Sequence, residues 1–465
     1  MSRLLAAVKT QPDSVIALEY APVEVDRQYR YWRFRILLTT IVGYALYYFV
    51  RVNISVPLGS IGKELHYTKE QLGTITTIGG VTYGISKFIN GILGDHANPR
   101  YFMAIGLIGC AIMNVLFGLS ASLMFFGAFW FFNNYFQGMG FPPCAKSMAY
   151  WFSPRERAST FGIWHASHMI GAACVGTLTG YLDQYMGWRW CFYIPAGLAT
   201  IGAVIVLIFL RDTPGSMGLP PVEVYKGEEK PEELAAELKE PVVEPEEGVV
   251  YETSEPALTY WQIVWKYILL SPYMWLISFA NLSVYVLRYA QLTWGPTFLQ
   301  EAKGFSKVQS GWLYAGSEMA GLCGALAGGF VADKLFRGRA GRVCVIAMIC
   351  MVGTIQIFRF SPKSSHLLSG ALYVTMGFLL YVPQMLIAAM AMNLGTKRAS
   401  AAAVGLTGII GYASTIITGT GIGKLVDVYG WDAAFKVMLA CAAITLVLMA
   451  FTWNVGAHPH AKDAH

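Results

Sequence analysis

Two arginines stand inside long apolar runs, at equivalent places in the two halves of a 465-residue chain. Arg51 closes the string YYFVR within the run 36–56, and Arg288 closes VYVLR within 275–299. Each has a tyrosine three residues earlier, Tyr48 and Tyr285. A guanidinium is permanently charged and presents a planar fork of donors that fits phosphate or carboxylate oxygens two at a time. In hydrocarbon such a charge is costly, so it is rare, faces a bundle interior and marks a functional pathway. One arginine from each half is the chemistry of a site that grips a small anion from both sides.

The elements that must position them are membrane helices. The chain is 55% hydrophobic and only 13% charged, against about 25% charged in soluble domains. Twelve apolar runs reach the length of about 20 residues that a bilayer requires: 34–57, 71–94, 101–121, 123–150, 157–182, 188–210, 265–299, 308–332, 341–360, 366–393, 400–424 and 431–454. The seventh contains Pro296, where a bend or an end is expected. A stretch rich in Glu, Pro and Lys, GEEKPEELAAELKEPVVEPEEG, interrupts the series and reads as a soluble linker with at most a short surface helix. The organisation expected is a tail 1–33, a six-helix bundle 34–211, a linker 212–263, a second bundle 264–454 and a tail 455–465. The start, MSRLLAAVKTQPDSV, has too short an apolar core for a cleaved signal peptide. Lysines and arginines favour the tails and even-numbered loops by about two to one, which places both termini in the cytoplasm.

The net charge of +6 forms no basic stripe interleaved with exposed aromatics, so nucleic acid is not an expected partner. The eight cysteines (Cys110, Cys144, Cys174, Cys191, Cys323, Cys344, Cys350, Cys441) lie in or beside spans, with no CxxC and no Cys/His cluster. They read as small packing residues. His165 and His168 are a turn apart, but no third ligand accompanies them, so no metal and no cofactor is expected.

The halves repeat. GILGD, ending at Asp95, follows the second span, and GFVAD, ending at Asp333, follows the eighth. From Arg51 to Asp95 is 44 residues, and from Arg288 to Asp333 is 45. Parallel repeats about an axis along the membrane normal build one large class of transporter, with its site between the halves.

GDHANPR (94–100) and ADKLFRGRAGR (332–342) resemble the loops of the major facilitator superfamily. Within it the chain is similar to the organophosphate:inorganic phosphate antiporters. The similarity rests on YYFVR (47–51), YGISKFINGILGD (83–95), FQGMGFPPC (136–144), RDTPGSMGLPP (211–221), VYVLRYAQLTWGPTFL (284–299), YVPQMLI (381–387) and GLTGIIGY (405–412). The glycerol-3-phosphate transporters look closest, with hexose-phosphate transporters and sensors not far behind. The fold implied is an all-α membrane protein of twelve transmembrane helices in two six-helix, pseudo-symmetric bundles. The function implied is alternating-access exchange of an organophosphate, glycerol-3-phosphate first and hexose-6-phosphate second, for inorganic phosphate. It would proceed in the bacterial cytoplasmic membrane, as a monomer in the lipid bilayer, and without enzymatic chemistry.

The resemblance also assigns roles. Arg51 and Arg288 would bind phosphate, with His168 beside them. Lys87 would lie on the substrate path, with Glu318 as its gating partner. Tyr44, Tyr48, Tyr83, Tyr285, Tyr381, Tyr412 and Trp164 would line the pathway. Asp95, Arg100, Asp333 and Arg337 would belong to the conformational loops. Lys146 reads as a loop or headgroup contact. Four residues depart from the family pattern: Val52 where a second basic residue is common, His165 for Asn, Tyr135 for Trp and Thr293 for Asp. The resemblance implies that the phosphate grip survives all four and that they bear on how the cavity reads the organic group. Rival readings are a sugar-phosphate sensor of the same fold, a proton-coupled symporter using Glu318, and, least favoured, a membrane enzyme.

Overall fold

The computed structural model describes residues 22–227, 264–394 and 396–454 and is almost entirely helical. The N-terminal bundle comprises α1 (Pro22–Phe49), α2 (Leu58–Leu65), α3 (Lys69–His96), α4 (Pro99–Leu119), α5 (Leu123–Gln137), α6 (Phe141–Trp151), α7 (Pro154–Tyr185) and α8 (Trp190–Phe209). A short α9 (Val222–Tyr225) follows, its Tyr225 ring stacked 3.9 Å from that of Tyr29. The C-terminal bundle comprises α10 (Pro272–Lys303), α11 (Lys307–Lys334), α12 (Ala340–Phe360), α13 (His366–Leu394), α14 (Thr396–Tyr412), α15 (Ser414–Ile416), a π-helical stretch (Ile417–Gly421), α16 (Ile422–Tyr429) and α17 (Trp431–Ala450). Reciprocal capping boxes start three of these helices: Thr68 with Gln71 at α3, Ser153 with Glu156 at α7 and Ser306 with Gln309 at α11. Of the linker and tails, residues 1–21, 228–263 and 455–465 lie outside the described residues.

Among the described residues, seven helices are long and apolar enough to cross a membrane by themselves. These are the third, sixth and eighth to twelfth of the expected spans, and two of the twelve are interrupted. The expected fourth span, 123–150, divides into α5 and α6 at Gly138–Gly140. There a Cβ on Gly138 would run into the Ser86 backbone. The expected eleventh, 400–424, changes to π geometry opposite Gly73, where a Cβ would run into the backbone of Gly419. Pro296 does not end the seventh: α10 runs through it to Lys303 and stops at Gly304, whose φ of +75° closes the helix onto the Leu299 carbonyl.

The first span differs most from expectation. Its helix ends at Phe49, so Arg51 follows a helix end instead of lying within a helix. The freed carbonyls are taken up by a buried amide network that sequence periodicity does not reveal. Asn133 Nδ2 donates to the Val50 carbonyl at 3.0 Å and Gln137 Nε2 to that of Tyr47 at 3.0 Å. Asn114 Nδ2 reaches the Val50 carbonyl at 3.2 Å and Asn133 Oδ1 at 3.0 Å. Asn53 Nδ2 donates to Asn114 Oδ1 at 2.8 Å and to the Cys191 carbonyl at 2.9 Å.

The bundles meet on the face opposite the chain termini, α7 against α11 and α3 against the π stretch and α16. Lys69 pairs with Glu301 at 3.2 Å, and Lys307 with Asp183 at 3.1 Å. The backbone amides of Lys69 and Glu70 donate to Asp427 at 3.1 and 2.7 Å, and that of Val308 to Gln184 at 3.2 Å. Among the described residues, hydrogen bonds and ion pairs between the bundles are confined to this half of the molecule, so the space between them opens toward the termini.

Replacing Asn133 by Leu strips the Val50 carbonyl and the Asn114 amide of a partner each. Each keeps another partner, Asn114 Nδ2 for the Val50 carbonyl and the Val50 and Cys110 carbonyls for Asn114. The loss is therefore that of hydrogen bonds worth about 0.5–1.5 kcal/mol each, and the unfolding midpoint in detergent is expected to fall by a few degrees. An unchanged midpoint would show that the network does not hold the break.

Candidate functional site: a cationic chamber between the bundles

The helix break carries Arg51 to the interface between bundles, where its guanidinium lies 3.6 Å from the Tyr83 ring centroid and 5.2 Å from that of Tyr48. Arg288 lies 5.0 Å over Tyr381. Among the described residues, neither arginine forms an ion pair within 4.0 Å, and Arg288 Nε is buried without a hydrogen-bond partner. Aromatic faces give each cation partial compensation, on the order of 0.5–2 kcal/mol, far less than a matched anion.

The two guanidiniums open into adjoining cavities. The larger, about 530 Å³, is lined by Arg51, Ser55, Thr76, Tyr83, Trp130 and Asn134 from one bundle and by Tyr289, Thr293, Thr415 and Thr418 from the other. The smaller, about 220 Å³, holds Arg288, Gln291, Tyr314, Ser317, Glu318 and Tyr381. Leu292 lines both. A third cavity, about 400 Å³ and lined by Trp294, Phe298, Phe358, Trp431 and Phe435 among others, has no charged group in its wall and does not suit a dianion.

The remaining expected residues fall into three groups. Tyr83, Tyr285 and Tyr412 form one aromatic cluster, with centroids of Tyr83 and Tyr285 at 5.5 and 5.7 Å from Tyr412. Tyr48 packs 5.2 Å from His168, whose Nδ1 is 2.5 Å from the His165 carbonyl. A carbonyl only accepts, so that nitrogen carries the proton and Nε2 is left for another partner. Tyr44 is a layer deeper: it packs 4.7 Å from the fully buried Trp164, whose indole N–H donates to the Thr40 carbonyl at 3.3 Å. Trp164 therefore supports the wall and does not form its surface.

Lys87 and Glu318 are not brought together. Glu318 accepts from the Tyr381 hydroxyl at 2.7 Å, while the Lys87 ammonium sits 5.0 Å over the Phe141 ring. Arg100 donates through Nε to the Leu207 carbonyl. Arg337 adopts a left-handed φ of 51° in the turn before α12. The side chains of Asp95 and Asp333 lie outside the described residues. Lys146 reaches the Ala97 carbonyl at 3.1 Å, a contact to the loop between α3 and α4. Sequence reading missed Tyr289, although its position four residues after Tyr285 puts it on the same helix face. It also missed Thr76, Asn134, Thr415 and Thr418, which look like ordinary polar residues in the sequence and line the chamber in the fold.

This geometry, with the fold around it, defines a membrane carrier. The chain belongs to the Major Facilitator Superfamily, whose model matches residues 40–419. Within it the chain falls among the organophosphate:phosphate antiporters. It is 38% identical to the "Probable hexose phosphate transport protein" of Chlamydia pneumoniae, over 92% of this chain and 93% of that one. It is 34% identical to the "Glycerol-3-phosphate transporter" of Bacillus subtilis (strain 168), over 93% and 95%. It is 35% identical to the "Membrane sensor protein UhpC" of Salmonella typhimurium, over 95% and 96%. The inward-facing, unoccupied structure of a bacterial homologue of the human lysosomal transporter Spinster matches with a TM-score of 0.68 at 16% identity, over 91% of this chain and 96% of that one. Identity thus leans no more to the glycerol-3-phosphate transporter than to the hexose phosphate protein.

Glu318 adds a negative charge beside Arg288. The substitution E318Q keeps an oxygen for Tyr381 and removes that charge, so equilibrium binding of inorganic phosphate is expected to tighten several-fold. Weaker binding in a calorimetric or radioligand titration would mean that Glu318 assists the anion and does not compete with it.

Proposed function

We propose that this protein exchanges an organophosphate for inorganic phosphate across a bacterial cytoplasmic membrane by alternating access, with both termini in the cytoplasm. One observation carries the reading: among the described residues, two guanidiniums, one from each bundle, face the interface with no carboxylate in ion-pair range, Glu318 sharing the Arg288 cavity but bonded to Tyr381. Phosphate would accept from both forks and bridge the bundles. Without it the like charges oppose closure; with it the bundles can close and reorient. That rule couples outward movement of one phosphate species to inward movement of another. With the termini inside, the structure is the inward-open member of the cycle. Lys87 and Glu318 then act at a different stage of the cycle from the one seen here, and the monomer contains the whole site.

The chamber around Arg51 bears on the substrate. Ser55, Thr76, Tyr83, Asn134, Tyr289, Thr293, Thr415 and Thr418 surround it with neutral hydrogen-bonding groups. Such a wall suits a polyhydroxylated body, which favours a hexose phosphate over the smaller glycerol-3-phosphate. The likeness to UhpC keeps a sensor as the second reading.

Counterflow separates these. Proteoliposomes loaded with labelled phosphate receive glycerol-3-phosphate or glucose-6-phosphate outside. Efflux driven by glucose-6-phosphate establishes antiport and the hexose class. Efflux driven by glycerol-3-phosphate alone reverses the substrate assignment. Binding that depends on Arg51 and Arg288 without any efflux favours the sensor. R51K or R288K is expected to lower exchange at least tenfold, because a point charge does not reproduce the fork. Near-normal exchange in either variant would refute the bridging account.

A further inference from the structure

Far from the chamber, on the termini side of the N-terminal bundle, three more arginines gather at the end of α8. Arg35 Nη2 and Arg211 Nη1 donate to the same carbonyl, that of Ile208, at 3.3 and 3.0 Å. Arg211 also reaches the Leu210 carbonyl at 2.8 Å, and Arg100 reaches that of Leu207. Arg35 and Arg211 flank one indole, 4.8 and 5.4 Å from the Trp32 centroid, and Arg35 lies 4.4 Å over Phe209. Arg35 Nη1 is also 2.5 Å from the Tyr31 hydroxyl.

Capping a helix end does not account for the charge. A helix C-terminus carries about half a negative charge, and three full positive charges converge on it. Neighbouring arginines show what compensation looks like here: Arg27 pairs with Glu24, Arg30 with Asp26 and Arg33 with Glu156. Among the described residues, Arg35, Arg100 and Arg211 form no ion pair, and Arg35 Nε is buried without a partner. The carboxylate beside Arg211, Asp212, is buried and accepts from Asn98 at 3.1 Å. Burial first, then repulsion from Arg100 and Arg35, lowers the pKa of Arg211.

The surroundings are those of the membrane boundary. Tyr31 and Trp32 sit where aromatic belts form. Phe34 and Leu38 on α1 and Val204 and Ile208 on α8 are exposed and continue from the arginines toward the middle of the spans. We propose that Arg35, Arg100 and Arg211 bind the phosphate of an anionic phospholipid, whose acyl chains lie along these apolar faces. The fit is electrostatic and interfacial: a phosphodiester accepts from the guanidinium donors that the carbonyls leave free, and the chains cover surface that must face lipid in any case.

The test uses the full-length protein in detergent with equimolar phosphatidylglycerol and phosphatidylcholine, counting bound lipid by native mass spectrometry. Wild type is expected to retain phosphatidylglycerol preferentially. The variant R35Q/R211Q is expected to lose about fivefold in retention per arginine removed, and R35K/R211K is expected to keep most of it. Equal retention of the two lipids by wild type, or undiminished preference in R35Q/R211Q, would overturn the proposal. So would displacement of the lipid by millimolar inorganic phosphate, which would make this a free-anion site. Should R35Q/R211Q fail to fold, raising salt on wild type decides: the preference is expected to shrink, and indifference to salt would exclude an ionic headgroup clamp.

Discussion

Two guanidinium charges in a membrane interior, neither in ion-pair range of a carboxylate among the described residues, are the constraint to which the rest of the site answers. An isolated ion is not stable in so poor a solvent, and the usual remedy is a carboxylate. Here the remedy is weaker: Tyr83 and Tyr48 offer their faces to Arg51 and Tyr381 to Arg288. Tyrosine supplies a negative face and a hydroxyl without a net charge, so the cations stay available. Glu318 shares the Arg288 cavity outside ion-pair range and accepts from Tyr381. A site built this way is electrostatically incomplete until an anion enters, which is the property a phosphate carrier needs.

The two arginines are not held alike. Arg288 rides on the continuous α10, fixed by helix geometry and by the packing around Pro296. Arg51 follows a helix end, and its place depends on Asn114, Asn133 and Gln137 catching carbonyls that the helix released, with Asn53 donating to Asn114. Such a network is sensitive to the loss of any member, and one of its atoms, Asn53 Oδ1, is buried without a partner. The repeat in sequence therefore conceals a difference in structure: one half positions its cation by backbone regularity, the other by side-chain to backbone bonds between α1, α4 and α5.

Most of the scaffold was legible before any coordinates. Apolar runs of sufficient length located the spans, and the rarity of charge inside them singled out Arg51 and Arg288. The breaks were not legible. Hydropathy is blind to whether a carbonyl bonds within its helix or to Asn133, because both leave the run apolar. The same blindness hid Thr415 and Thr418, which line the chamber beside and within the π stretch at Ile417–Gly421. Expecting Lys87 to meet Glu318 also went beyond the residues themselves. Two opposite charges on different helices pair only if the bundles bring them together, and in this structure Tyr381 takes that place at Glu318.

The closed face shows how small a change the site must exert. Its bonds follow the repeat: the N-terminus of α3 donates to Asp427 at the end of α16, and that of α11 donates to Gln184 at the end of α7. Lys69 and Lys307 add ion pairs with Glu301 and Asp183. Most of these groups lie near the surface, where water replaces a lost partner, so each is worth roughly 0–1 kcal/mol. Glycine contacts such as Gly73 on Gly419 let the backbones touch without burying large side chains there. Two like charges ~10 Å apart at an effective dielectric of 20 repel by about 1.7 kcal/mol, comparable to a few such bonds. A seal of many weak, solvent-exchangeable contacts and a site with one strong unmet electrostatic demand are therefore matched in scale. On the proposed reading, occupancy of the chamber has enough leverage to decide which face is closed, and neither face needs a latch of its own.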